Sequence, residues 1–297
     1  MSTPINLGKK LAFYYGYPSL VNSSANDVNL AAAVFKDYDM VVWGDGIQDP
    51  SHPDHSLSAQ IIAHPDMVNT DVGGYIDSTL SLNDIQTKID QWYDMGVKFY
   101  FLDRFGYDFI TTNGREHQRE IVWCCHEKGD GSLYVMANAW NPDDVFSDAV
   151  DPTNNPAGLP TRLGSNDWYL SESFHIINGS YDTNITAFKD KNDKMLNYRT
   201  TYGTKMAMTT TNDSSPFDQN KWDNAYYLSV IYELDASSWG EEFFSASSAS
   251  LPFRTRKEVL GTEFTGPINE VSGVFSRPTN VGVQVDTNTH VATDILN

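Results

Sequence analysis

Positive charge is scarce in this chain. Twenty Lys and Arg stand against 39 Asp and Glu, giving a formal charge of −19. Phosphate backbones and anionic lipid repel such a chain, which argues against nucleic-acid and membrane-surface roles. Cysteine is nearly absent: the only two, Cys124 and Cys125, are adjacent in the helical-looking stretch REIVWCCHEKG. Neighbours on a helix point apart, so no bond between them is expected and the chain lacks a disulfide framework. The opening MSTPINLGKK has no long apolar run. We therefore expect no signal peptide and no membrane span, with a cytoplasmic location or, for a phage-encoded chain, a place in a virion. No internal repeat or low-complexity tract stands out.

Two further signatures are missing. The first strand-like run continues into FYYGYPSLVN, which is no glycine-rich phosphate loop and argues against a doubly wound nucleotide-binding sheet. The loop DPSHPDH offers His52, Asp54 and His55, but Pro53 breaks any helical spacing and no metal signature fits. A polar surface loop is the preferred reading. No metal and no cofactor are expected.

Aromatic residues are plentiful, with seven Trp, sixteen Tyr and fifteen Phe. They support a packed core, and they also suit a groove in which sugar rings stack. Strand-like and helical runs alternate along the chain. KLAFYYGYP, DMVVWGDG, DVGGYID, KFYFLD, SLYVMANAW, DWYLSESFHI, TKMAMTTT and ASSWGEEF read as strands. Helical patterns fall between most of them. The clearest is SLNDIQTKIDQWYDMG, with a capping box at Ser81 and Asp84 and a stop at Gly96. Eight such units predict a (β/α)8 TIM barrel over residues 1–261, since this fold takes ~250 residues. Residues 262–297, rich in Val, Thr and Asn, read as a short extended C-terminal appendage. It is the expected contact surface for virion or homo-oligomer partners.

In such a barrel, chemistry sits at the C-terminal ends of the strands. The polar residues there are Tyr15, Tyr17, Asp45, Asp77, Asp103, Asn138, Glu172 and Glu241. Each alone reads equally as a turn residue or a cap. Together they suggest two facing acids at one mouth, the arrangement that glycoside hydrolysis needs. Asp103 and Glu172 are the candidate catalytic pair, with Asp103 as nucleophile and Glu172 as acid/base or the two roles reversed, and with retention and inversion both open. Asn138, Tyr15, Tyr17, Asp45, Asp77, Arg104, Trp140, Trp239 and Glu241 are the candidate substrate contacts.

The motifs FLDRFGYDF, VMANAW and SESF, with the opening YYGYP and the closing NAYYLSVIYELDASSWGEEF, resemble the spherulin-4-like and endo-α-1,4-polygalactosaminidase-type barrels. The likeness covers about residues 9 to 245. It implies a TIM-barrel glycoside hydrolase with Asp103, Asn138 and Glu172 in its site, acting on a polysaccharide such as an amino-sugar polymer. The sequence departs from the family at Arg104, where relatives often carry an acid, which bears on the substrate more than on the reaction class. A second reading keeps the barrel without the chemistry: a virion, phage-tail or surface protein that binds host glycan.

Overall fold

The computed structural model describes residues 3–241, 249–257, 261–279 and 281–294. Eight parallel strands close into a barrel. They are β1 (Lys9–Tyr14), β2 (Met40–Trp43), β3 (Asp71–Asp77), β4 (Phe99–Asp103), β5 (Tyr134–Asn138), β6 (Trp168–Ser171), β7 (Lys205–Thr209) and β8 (Ala236–Ser238). β7 pairs with β6 on one side and β8 on the other, and β8 pairs with β1, which completes the ring. The protein is a (β/α)8 TIM barrel. The run expected as one strand, DWYLSESFHI, is shorter: β6 ends at Ser171, and Ile176–Ile177 turns into a small hairpin with Ser180–Tyr181. Among the described residues of ASSWGEEF, Ala236–Ser238 is strand, and the last two residues of the stretch lie outside the described set.

Helices α1 (Val28–Phe35), α2 (His55–Ile62), α3 (Leu82–Met95) and α4 (Gly114–Lys128) follow the first four strands in turn. A single turn, α5 (Asp143–Phe146), follows β5; α6 (Ile185–Tyr202) and α7 (Gln219–Ile231) follow β6 and β7. Local chemistry sets their ends. The Ser81 hydroxyl accepts the Asp84 N–H at 3.2 Å and donates to its carboxylate at 2.6 Å, while Gly96 closes α3 with φ +89°. Cys124 and Cys125 lie on α4, both as free thiols, Cys125 buried. Among the described residues no helix is long and apolar enough to cross a membrane.

Strand alternation divides the core in two. Leu11, Phe13, Met40, Val42, Phe99, Phe101, Met136, Trp168 and Leu170 fill the barrel interior. Their neighbours, such as Ala12, Val41, Trp43, Tyr100 and Tyr169, pack outward against the helices. The pair Gly73-Gly74 serves both layers. A Cβ at Gly73 would sit 2.2 Å from the Phe99 ring inside, and one at Gly74 would sit 2.2 Å from the Trp92 indole outside. Both rings are fully buried and cannot retreat. Gly74→Ala should therefore lose ~3 kcal/mol of stability in urea unfolding, the upper range for overpacking. A loss below ~0.5 kcal/mol would show that the Trp92 contact is soft.

The extended C-terminal residues pair into an antiparallel meander of β9 (Asn269–Val271), β10 (Val274–Arg277), β11 (Val283–Asp286) and β12 (Val291–Asp294). It packs against α7, burying Phe275, Val283 and Val285. Arg277 fastens it, donating to the Ile231 carbonyl at 3.0 Å and pairing with Glu233 at 2.8 Å. Thr3–Pro4 pairs with Glu263–Phe264, so the N-terminal residues meet the start of the C-terminal appendage.

Candidate active site

The alternation that fills the barrel also builds its mouth. Phe99 and Phe101 point inward on β4, so the next residue in that register is Asp103. On β5, Tyr134 and Met136 lead to Asn138. On β6, Trp168 and Leu170 lead to Glu172. Three polar side chains are thus raised over one apolar plug by the two-residue period alone.

They bond to one another. Asn138 Nδ2 donates to Asp103 Oδ1 at 2.9 Å and to Glu172 Oε2 at 2.7 Å. The two carboxylate oxygens are therefore no further apart than those two bonds laid end to end. Tyr75, inward on β3, donates its hydroxyl to the other Asp103 oxygen at 2.6 Å. Tyr15 packs edge-on to Tyr75 at 5.7 Å, and burial with the Asp103 charge nearby holds its hydroxyl well above the usual phenol range. Glu172 is held above the usual carboxylate range, chiefly by burial, with the Asp103 charge adding to it. The Asn138 hydrogen bond and the Lys191 cation pull the other way.

Both acids are mounted identically. Arg104 and Ser173, the residues after them, adopt left-handed backbone with φ +55° and +56°. A buried phenylalanine follows each: Phe105 N–H donates to the Asn138 carbonyl at 2.9 Å, and Phe174 N–H to the Thr209 carbonyl at 2.9 Å. Each strand is thereby turned sharply off the barrel just past its acid and pinned to the end of the next strand. Non-glycine residues in this region carry strain of ~1 kcal/mol or more, and such strain collects at functional sites.

The other expected contacts divide. Asp77 stands beside Asp103 in register and accepts from Arg104 Nη1 at 3.3 Å, forming an ion pair on the rim. Trp140 is 55% exposed and lines a cleft beside the pair. Four residues are engaged elsewhere. Asp45 accepts from Lys88 at 2.6 Å and from Gln48 at 3.1 Å. Tyr17 packs edge-on to His52 at 4.9 Å. Trp239 packs on Phe217 at 5.1 Å, and Glu241 holds Arg254 through two bonds of 2.7 and 2.9 Å. In DPSHPDH, Asp54 is buried and accepts from Ser19 N–H at 3.1 Å and Ser58 Oγ at 2.9 Å. Among the described residues, no group of three or more His, Cys, Asp or Glu is placed to hold a metal ion.

Two residues of the site escaped the sequence reading, Tyr75 and Lys191. Tyr75 lies two residues before Asp77 on one strand face, so strand parity alone could have found it. Lys191, mid-helix on α6, carried no comparable signal.

The raised Glu172 carboxyl has a consequence for stability. A carboxyl whose folded pKa lies above its unfolded value resists ionisation in the fold. Its penalty is absent below the unfolded pKa and grows as pH rises past it. Glu172→Gln should thus melt higher than the wild type at pH 7 and alike at pH 4, by ~2–4 °C for each kcal/mol relieved. A lower melting temperature at pH 7 would contradict this electrostatic account.

No family model matches the chain, and no curated protein matches it. Solved structures do resemble it. A GH5-4 broad specificity endoglucanase from Clostridum cellulovorans is 10% identical over 78% of this chain and 84% of that one, with a TM-score of 0.48. An O-GlcNAc hydrolase mutant from Thermobaculum terrenum is 10% identical over 80% of this chain and 55% of that one, at 0.46. An HpcH/HpaI aldolase from Desulfitobacterium hafniense DCB-2 is 9% identical over 79% and 86%, at 0.41. Glycosidases and an aldolase share this likeness, which concerns the barrel alone, and chemistry has to be argued from side chains.

Proposed function

We propose that the chain is a glycoside hydrolase acting on a polysaccharide, with Asp103 and Glu172 as its carboxylate pair. The observation that carries this reading is the Asn138 amide bonded to both carboxylates at the barrel mouth. A structural role would not require two acids converging on one nitrogen over an apolar plug, with burial raising the pKa of one of them.

The two environments separate the roles. Glu172, whose burial favours the protonated form, gives a proton to the glycosidic oxygen as the bond to the anomeric carbon breaks. Asp103, oriented by Tyr75 and Asn138, attacks that carbon and forms the glycosyl ester. Glu172, now ionised, takes a proton from water, whose oxygen displaces Asp103 and regenerates both acids. The spacing suits this double displacement. Inverting pairs stand ~6.5–9.5 Å apart to admit a water, whereas retaining pairs stand at ~5–5.5 Å. The motif resemblance to polygalactosaminidase-type barrels points to an amino-sugar polymer as substrate, and the charge of −19 disfavours a polyanion.

The test is a panel of bacterial and fungal polysaccharides, scored for new reducing ends and, by NMR, for the anomer released first. Cleavage with retention is expected. Cleavage with inversion would refute the nucleophile assignment. Glycan binding without any cleavage would leave a binding module, including the virion role, in place of the enzyme.

A further inference from the structure

A cleft of about 770 Å³ opens beside the carboxylate pair. Asn141, Pro142 and Asp144, at and just before the single turn α5, form part of its lining. Its walls are the loops after β4 and β5, the turn after β6, and α6. Ser171 and Ser173, on either side of Glu172 in sequence, both line it, and the Lys191 cation on its wall is near enough to act on Glu172, which does not itself line it. Its volume is in the range of ordinary ligand sites. We propose that this cleft receives the departing part of the glycan chain and selects sugars without net charge. The proposal rests on the glycosidase reading for the direction of the chain, while the cleft's preference for uncharged sugar can be tested without turnover.

The lining argues for the ligand class. Trp140 offers a largely open indole for a sugar ring, and Lys191 from α6 stands over that indole at 4.9 Å. Among the described residues no carboxylate lies within ion-pair distance of the Lys191 ammonium, although burial pulls its pKa down to about 8. It has donors to give. Asp108, Asp182 and Asp190 supply acceptors on the same walls. A polyanion meets those three acids, and a free amine meets Lys191. An uncharged sugar satisfies both signs, with hydroxyls donating to the carboxylates and hydroxyl or acetamide oxygens accepting from Lys191. In an amino-sugar polymer, the residue placed here is then N-acetylated.

The experiment measures binding by calorimetry and tryptophan fluorescence on the full chain carrying Asp103→Asn. The probes are hexamers of N-acetylglucosamine, glucose, glucosamine and galacturonate. At least one neutral hexamer should bind about tenfold or more tighter than either charged one. Trp140→Ala should weaken that binding by about tenfold, and Lys191→Met should narrow the gap between neutral and cationic probes. The proposal is overturned if a charged hexamer binds as well as the neutral ones, if no probe binds, or if Trp140→Ala changes nothing. Cleavage of a neutral glycan unaffected by Trp140→Ala and Lys191→Met would remove the cleft and leave the glycosidase reading standing. Selective binding by the Asp103→Asn chain, with no cleavage by the chain that keeps Asp103, would remove the glycosidase reading and leave the cleft's preference for uncharged sugar.

Discussion

Asp103→Asn should lower turnover by at least ~10³-fold while leaving the melting temperature within ~2 °C of the wild type. The first figure follows from the role: removing a nucleophile gives up several kcal/mol of barrier lowering, and each 1.4 kcal/mol is tenfold in rate. The second follows from the contacts. Asp103 accepts from Asn138 Nδ2 and from the Tyr75 hydroxyl. An asparagine keeps one oxygen for Asn138 and turns its amide toward Tyr75, whose oxygen can accept. The substitution also removes a charge facing Glu172, which relieves repulsion within the pair. Melting curves and reducing-end assays on the two chains decide the matter. A structural aspartate would give the opposite result, a drop of several degrees in melting temperature and no cleavage by the wild type to lose.

The site was legible where it depended on strand parity and illegible where it depended on what a side chain meets across space. Asp103, Asn138 and Glu172 each continue an inward apolar series, 99/101, 134/136 and 168/170, so their convergence is written in a two-residue period. The mounting is written too, as acid, one residue, then phenylalanine, in Asp103-Arg104-Phe105 and Glu172-Ser173-Phe174. Asp45 and Glu241 also follow strands and look alike in sequence. Lys88 and Arg254, 43 and 13 residues further on, take them up, and nothing local announces those partners. The C-terminal meander was half legible. Val283 and Val285 are buried while Gln284 and Asp286 are not, an alternation that marks a strand with one covered face. That α7 would be the cover depends on the helix being buried nearly throughout its length. A barrel helix with only one apolar face needs no second layer; one buried on all sides implies it.

The same outer layer sets the second large effect expected, an acid transition governed by His175. This residue is wholly buried, in left-handed backbone with φ +59°, between the rings of Tyr181 at 5.6 Å and Phe188 at 5.5 Å. Neither ring nitrogen has a hydrogen-bond partner. Tyr181 in turn stacks on His290 of the meander at 3.6 Å, so the pocket is closed from outside. Burial, with His290 adding a little, pulls the His175 pKa down from 6.5 to about 4. The unfolded chain therefore binds a proton that the folded chain refuses between those two values. Stability from this group is complete above pH 6.5 and is lost as pH falls toward 4, a change of ~3 kcal/mol at 1.4 kcal/mol per unit. The carboxylates titrate over part of the same range, so the slope has to be isolated by substitution. His175→Phe keeps the ring and removes the proton. Its absolute stability can move either way, because phenylalanine tolerates the left-handed backbone less well than histidine while sparing two unpaired nitrogens. Its pH dependence can move only one way. Urea unfolding at pH 7, 5.5 and 4.5 should show the wild type losing stability more steeply than His175→Phe across this range. Parallel curves would mean that His175 finds a partner for its proton inside the fold, and that the pocket sealed by Tyr181 and His290 is less dry than its lining implies.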